Sequence, residues 1–314
     1  MTTVRCRDRG THHEWTLANA VWEVTVVPEW GGQITSLLHR TSGCPLVRVP
    51  PSYRAWDSEP YLFGIPILFP PGRIRNGEFR WGTTDYRWPK NDTFGPHHVH
   101  GFVSQRPWLA SSDERGLTLS IDQSTETLLE TFLGSPVSLR VTYQLMNNVL
   151  KIGAAVKNLG GRPIPFGLGF HTTWDLASAD WYLKVPPGQE WEMGLDRMPR
   201  ERLLAKPQVF AGLLEGRPAR MITGDTCYRI ADGEQPTVDM WNPESGLRIR
   251  WAAGEDFRHL VIYRPSLDTP WICVEPYTWT SNAPNMGLDA RVTGLKSLLP
   301  GEERVLDYSV MADS

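Results

Sequence analysis

The chain has 314 residues, 40% of them hydrophobic, with a formal net charge of −3 and a pI near 6.3. That length and apolar content can build a large core, and the charge offers no basic footprint for nucleic acid. No run reaches the roughly 18 apolar residues of a membrane span, and the start Met1-Thr-Thr-Val-Arg-Cys-Arg-Asp8 lacks a signal-peptide pattern.

Period-two alternation dominates the chain, and helix-forming runs are scarce. The apolar stretch 61–72 is broken by Gly and Pro and leads into Arg73-Ile74-Arg75-Asn76-Gly77, where guanidinium forks sit on a turn. A hairpin is predicted over 79–86 around Gly82. Then comes Pro96-His97-His98-Val99-His100-Gly101-Phe102, followed by Arg106. Three histidines in four residues invite a metal, since neutral imidazoles bind zinc. Only an extended segment puts His98 and His100 on one face, however, and no further ligand stands nearby in the sequence. No metal is expected; donating hydrogen bonds to sugar hydroxyls is the better use of Arg73 and His100.

Further hairpins are predicted at 108–121 around Gly116 and at 137–156 around Asn147-Asn148, a pair that tolerates positive φ. In 163–171, Ile164, Phe166, Leu168 and Phe170 share one strand face; Pro165, Gly167, Gly169 and His171 share the other. The two glycines leave a shallow floor where a ligand could approach the backbone. A structural histidine beside a bulge is the plainer alternative. Residues 200–215 are the best helix candidate, interrupted by Pro207. A hairpin at 238–251 follows, around Pro243-Glu244-Ser245-Gly246. In the strand after it, Trp271, Cys273, Glu275 and Tyr277 share one face, while Ile272, Val274 and Pro276 share the other. Burial among those neighbours would raise the Glu275 pKa toward the range of a general base. A solvated strand-end carboxylate is the alternative. The last strand is expected at 304–311.

Strands at such short intervals predict an all-β fold, a large antiparallel β-sandwich. Without repeats, low-complexity tracts or charged linkers, one domain over 1–314 is expected. Cys6, Cys44, Cys227 and Cys273 are scattered with no Cys-x-x-Cys pair, so reduced thiols in a cytoplasmic protein are expected. The 14 Trp suit either sugar rings lying on indole faces or the filling of a large core. His171 and Glu275 together would supply the proton donor and acceptor that opening and closing a sugar ring requires.

Five of these pieces, in this order, resemble the aldose 1-epimerases, the galactose mutarotase superfamily. They are Gly72-Arg73-Ile74, His100-Gly101-Phe102, Gly169-Phe170-His171-Thr172, an aspartate opening a later strand, and Val274-Glu275-Pro276-Tyr277-Thr278. The likeness spans residues 22–311 and is nearest a divergent bacterial branch close to hexose-phosphate epimerase-like proteins. It implies the superfamily's β-sandwich and an isomerase that needs no cofactor. It further implies that His171 is the general acid, Glu275 the general base, and Arg73, His100 and Asp225 the sugar-binding residues. Asp239 competes with Asp225 for the last role. One departure is that Gly72 stands where many relatives have Asn before the arginine. Arg73, Arg75 and Arg106 could recognise a phosphate, which would make the substrate an aldohexose or its phosphate. Glu275 with Asp225 could instead form a glycoside hydrolase or lyase pair, and a sugar-binding protein without turnover is a third reading.

Overall fold

The computed structural model describes residues 2–313. It is a layered, predominantly antiparallel β structure with three large sheets. A five-stranded sheet holds the N-terminal strands Thr3–Asp8, His13–Ala18, Trp22–Val27, Gln33–His39 and Cys44–Pro45. A nine-stranded sheet is centred on Val137–Met146, Val149–Asn158 and Glu303–Asp313. An eight-stranded sheet contains Gly188–Met193, Gly224–Ile230, His259–Arg264 and Trp271–Tyr277. No helix among the described residues is long and apolar enough to cross a membrane.

Alternation explains the layering. In Val137–Met146 every second side chain is buried, so one face of the nine-stranded sheet is core. That face meets the eight-stranded sheet where Phe170 stacks on Tyr308 with ring centroids 5.0 Å apart. Tyr308 Oη and Thr172 Oγ1, 2.9 Å apart, join the same two sheets. The five-stranded sheet is tied in by Tyr143, whose hydroxyl donates to the Gly32 carbonyl at 2.6 Å.

The predicted hairpins are all present. Met146 pairs with Val149 across Asn147-Asn148, and Asn147 takes φ +53°. Phe79 pairs with Tyr86, Trp108 with Ile121, and Val238 with Trp251. Glu303–Asp313 is the last strand, paired on both sides. The helix expected at 200–215 is not there: Pro199–Leu203 is a strand pairing with Gly188–Met193, and turns follow. The principal helix is Gln123–Leu133, capped by Asp122, which accepts from Thr125 N, and closed by left-handed Gly134. The single strand expected over 163–171 is broken in two, Ile164–Phe166 and Gly169–Phe170, which belong to different sheets.

Candidate active site

Strand register lines up one set of side chains. Cys227 pairs with Val261, and Val261 with Glu275. Asp225 lies two residues before Cys227, hence on the same face. Ile272 and Val274 point into the main core, whereas Tyr277, Val261 and Cys227 belong to a smaller cluster on the other side. His171 immediately precedes Thr172–Asp175, whose first residue pairs with Val274, so it arrives beside Glu275. The short ribbon pairing Arg73 with Val99 delivers Arg73 and His100 from another direction, with His100 N donating to the Gly72 carbonyl at 3.0 Å.

These elements enclose a cleft of about 440 Å³ lined by Arg73, His100, His171, Asp225 and Glu275 among others. Asp239 is elsewhere, on the nine-stranded sheet, bonded by Arg250 at 2.6 Å. At the bottom His171 Nε2 is 3.2 Å from Glu275 Oε1, with side chains only 4% and 2% exposed. Tyr277 donates its hydroxyl to the other carboxylate oxygen. The His100 and His171 rings meet edge to face at 4.9 Å, and Tyr61 packs on His100 at 4.6 Å.

Burial sets the charges. It pushes the Glu275 carboxyl up to about 8, against the Tyr277 hydrogen bond, which favours the carboxylate. It pushes His171 down to about 3, and His100 also falls well below the ordinary imidazole range. The proton of the His171–Glu275 pair therefore rests on Glu275 at neutral pH. Burial also lifts the Cys227 thiol to about 12, so it stays protonated. Arg73 keeps its charge: burial works against it, but Asp225 and Asp92 outweigh that effect. Its Nε donates to Asp92 Oδ2 at 2.9 Å, and Nη1 lies 3.5 Å from Asp225 Oδ2.

The three clustered histidines do not converge. His98 is held by the Pro89 carbonyl at 2.7 Å and packs on Trp88 and Phe102, while His97 faces Asn76 N. The ligand atoms of His100, His171 and Glu275 do come within 4.8 Å of one another, the spacing at which a metal could be held. The three arginines do not converge either. Arg75 pairs with Asp196 at 2.6 Å, and exposed Arg106 borders a separate, smaller cleft.

Glycines near the site serve the protein's own packing. A Cβ on Gly167 would lie 2.5 Å from the Trp279 ring, and one on Gly169 would lie 2.5 Å from the Tyr277 ring. The floor expected to receive a ligand is thus filled by two aromatic side chains. Gly72, at φ +73°, has room for no Cβ because Ser281 Oγ would be 2.5 Å away. The contact with Ser281 accounts for glycine before Arg73. Asp92, Tyr61, Tyr277 and Ser281 line the cleft without having been singled out; only Tyr277 carried a signal, its shared strand face with Glu275.

The family model for aldose 1-epimerase matches residues 13–310. A curated relative, the uncharacterized protein YihR of Escherichia coli strain K12, is 26% identical over 240 residues, covering 71% of this chain and 72% of the relative. A galactose mutarotase-like protein from Clostridium acetobutylicum superposes with TM-score 0.90 at 20% identity, over 100% of this chain and 99% of that one. Galactose 1-epimerase from Lactobacillus acidophilus NCFM gives TM-score 0.75 at 16% identity, over 100% and 98%. The fold is that of the galactose mutarotase-like β-sandwiches, and the chain belongs to the aldose 1-epimerase family.

Proposed function

We propose that the protein is an aldose 1-epimerase, interconverting the α and β anomers of an aldohexose or its phosphate. The observation that carries this reading is the His171–Glu275 pair at 3.2 Å on the cleft floor. The two oxygens bonded to an anomeric carbon lie closer together than that. One hemiacetal carbon can therefore present its hydroxyl to Glu275 and its ring oxygen to His171, both within hydrogen-bond reach.

The pair's proton first passes from Glu275 to His171 across their 3.2 Å contact. Glu275 as carboxylate then takes the O1 proton while His171 as imidazolium donates to the ring oxygen, and the C1–ring oxygen bond opens. The bound aldehyde turns about C1–C2 and recloses on its other face as both proton transfers reverse. Concerted transfer avoids an alkoxide and an oxocarbenium ion. After opening, Glu275 is protonated and His171 neutral, the state that burial favours. Ring opening thus returns the pair to its resting charge state. Before opening, Tyr277 and Arg73 act on the other side of the balance by favouring the Glu275 carboxylate. Arg73 and His100 are assigned to the ring oxygen and hydroxyls, and Asp225 to a further hydroxyl.

A hydrolase would pair Glu275 with Asp225. Asp225 instead lies against Arg73 and Arg197, at 3.5 Å and 3.4 Å, and the groups beside the Glu275 carboxyl are the His171 imidazole and the Tyr277 hydroxyl, not a second carboxylate. Polarimetry on freshly dissolved α-glucose and α-galactose tests the assignment. His171→Asn and Glu275→Gln are each expected to lose about 10²–10⁴-fold in kcat while keeping the wild-type melting temperature within a few degrees. Near-wild-type rates in both variants would overturn it.

A further inference from the structure

We infer that Arg197 is a positioning residue: it orients Asp225 and, through it, the sugar. This rests on the sugar-binding reading above.

Arg197 sits in the turn between strands Gly188–Met193 and Pro199–Leu203. Its guanidinium makes three contacts at the cleft mouth. Nη1 lies 3.4 Å from Asp225 Oδ2, the same oxygen that Arg73 approaches. The guanidinium carbon stands 3.7 Å over the Phe94 ring, and the side chain also reaches the Tyr263 hydroxyl. Phe94, Asp225 and Tyr263 all line the cleft. One cation therefore clasps two walls of the mouth and holds a carboxylate between them. Both guanidiniums approach Oδ2, and Oδ1 of this cleft-lining residue accepts no hydrogen bond from the described residues.

The backbone supplies an independent sign. Arg197 takes φ +58°, a left-handed conformation that costs an arginine and suits glycine. The turn is fixed in that shape by Arg197 N donating to the Gly194 carbonyl at 3.0 Å and Gly194 N to the Met198 carbonyl at 2.8 Å. Asp196 docks the turn on Arg75 at 2.6 Å. A long cationic side chain at a position where glycine would be easier locally points to a use for that side chain. Asp225 has its other cation, Arg73, shared with Asp92, whereas Asp225 is the carboxylate that Arg197 holds.

The test uses the full-length chain with D-glucose and D-galactose, reading anomer exchange for kcat and KM, and tryptophan fluorescence for Kd without turnover. Arg197→Gly is expected to melt at or above the wild-type temperature, to keep kcat within about twofold, and to raise KM and Kd about tenfold. Arg197→Lys, which keeps the charge but not the planar stack, should fall between. In an Asp225→Asn background, Arg197→Gly should add less than about twofold. Wild-type KM and Kd in Arg197→Gly, or penalties that multiply in the double variant, would overturn the assignment. Should the wild type bind sugar without accelerating exchange while Arg197→Gly still weakens Kd, the epimerase reading falls and the role of Arg197 stands.

Discussion

Glu275 and His171 are ionisable groups placed where ions are costly, and their chemistry follows from that cost. A single proton shared by the pair defines the working state, and Glu275, raised to about 8, is the group that loses it first on the alkaline side. Above that pH the pair holds no proton to give the ring oxygen, so kcat/KM should fall as pH rises through about 8. Tyr277 donates to Glu275 and favours its ionised form. Tyr277→Phe should therefore raise the Glu275 pKa further, moving the alkaline limb to higher pH, and should lower kcat in the plateau. A pH–rate profile of both proteins checks the shift, and a limb that moves to lower pH would contradict it. At this scale the sequence was informative about identity but not about contact. Strand alternation set Glu275 and Tyr277 on one face, yet nothing local placed His171 against Glu275. That juxtaposition depends on the pairing of Thr172 with Val274, over a hundred positions apart in the chain.

Hairpins proved the most legible elements, because alternation and turn residues are local signals: the Asn147-Asn148 turn needs no knowledge of the rest of the fold. The 163–171 segment was harder to read. Its glycines announced a close approach, but the approaching groups are the rings of Tyr277, at the end of strand Trp271–Tyr277, and of Trp279 just beyond it. Gly169→Ala would drive its methyl into Tyr277 Cδ1, 2.5 Å away, and Pro71 Cβ, 2.8 Å away. The expected loss is about 1–3 kcal/mol of stability, with kcat lowered because Tyr277 is pushed off Glu275. Chemical denaturation and exchange kinetics on one preparation check both effects. The helix at Gln123–Leu133 did carry signals, an Asp cap before it and Gly after it, with Thr125, Leu129 and Leu133 buried on one side. The 200–215 segment lacks a comparable start, and its first residues continue a hairpin instead.

Across the whole molecule, the packed sheets act as a stiff support for a cleft whose residues come from widely separated parts of the chain. The family model covers residues 13–310, and the ordered motifs that suggested the family span most of that length. What the sequence could not convey is how the layers are joined. The Tyr143 hydroxyl bonded to Gly32 links two sheets away from the cleft. Tyr143→Phe leaves the Gly32 carbonyl buried and unpaired, so a loss of about 1–3 kcal/mol is expected, with kcat and KM retained. That separation of stability from activity distinguishes the support from the site. The central claim, that His171 and Glu275 open and reclose a sugar ring, is tested most directly by NMR exchange spectroscopy at anomeric equilibrium across free and phosphorylated aldohexoses. The account predicts α/β exchange above the buffer rate for at least one sugar, falling to near the buffer rate in His171→Asn and in Glu275→Gln. Exchange at the buffer rate for every sugar, or acceleration that survives both substitutions, would contradict it.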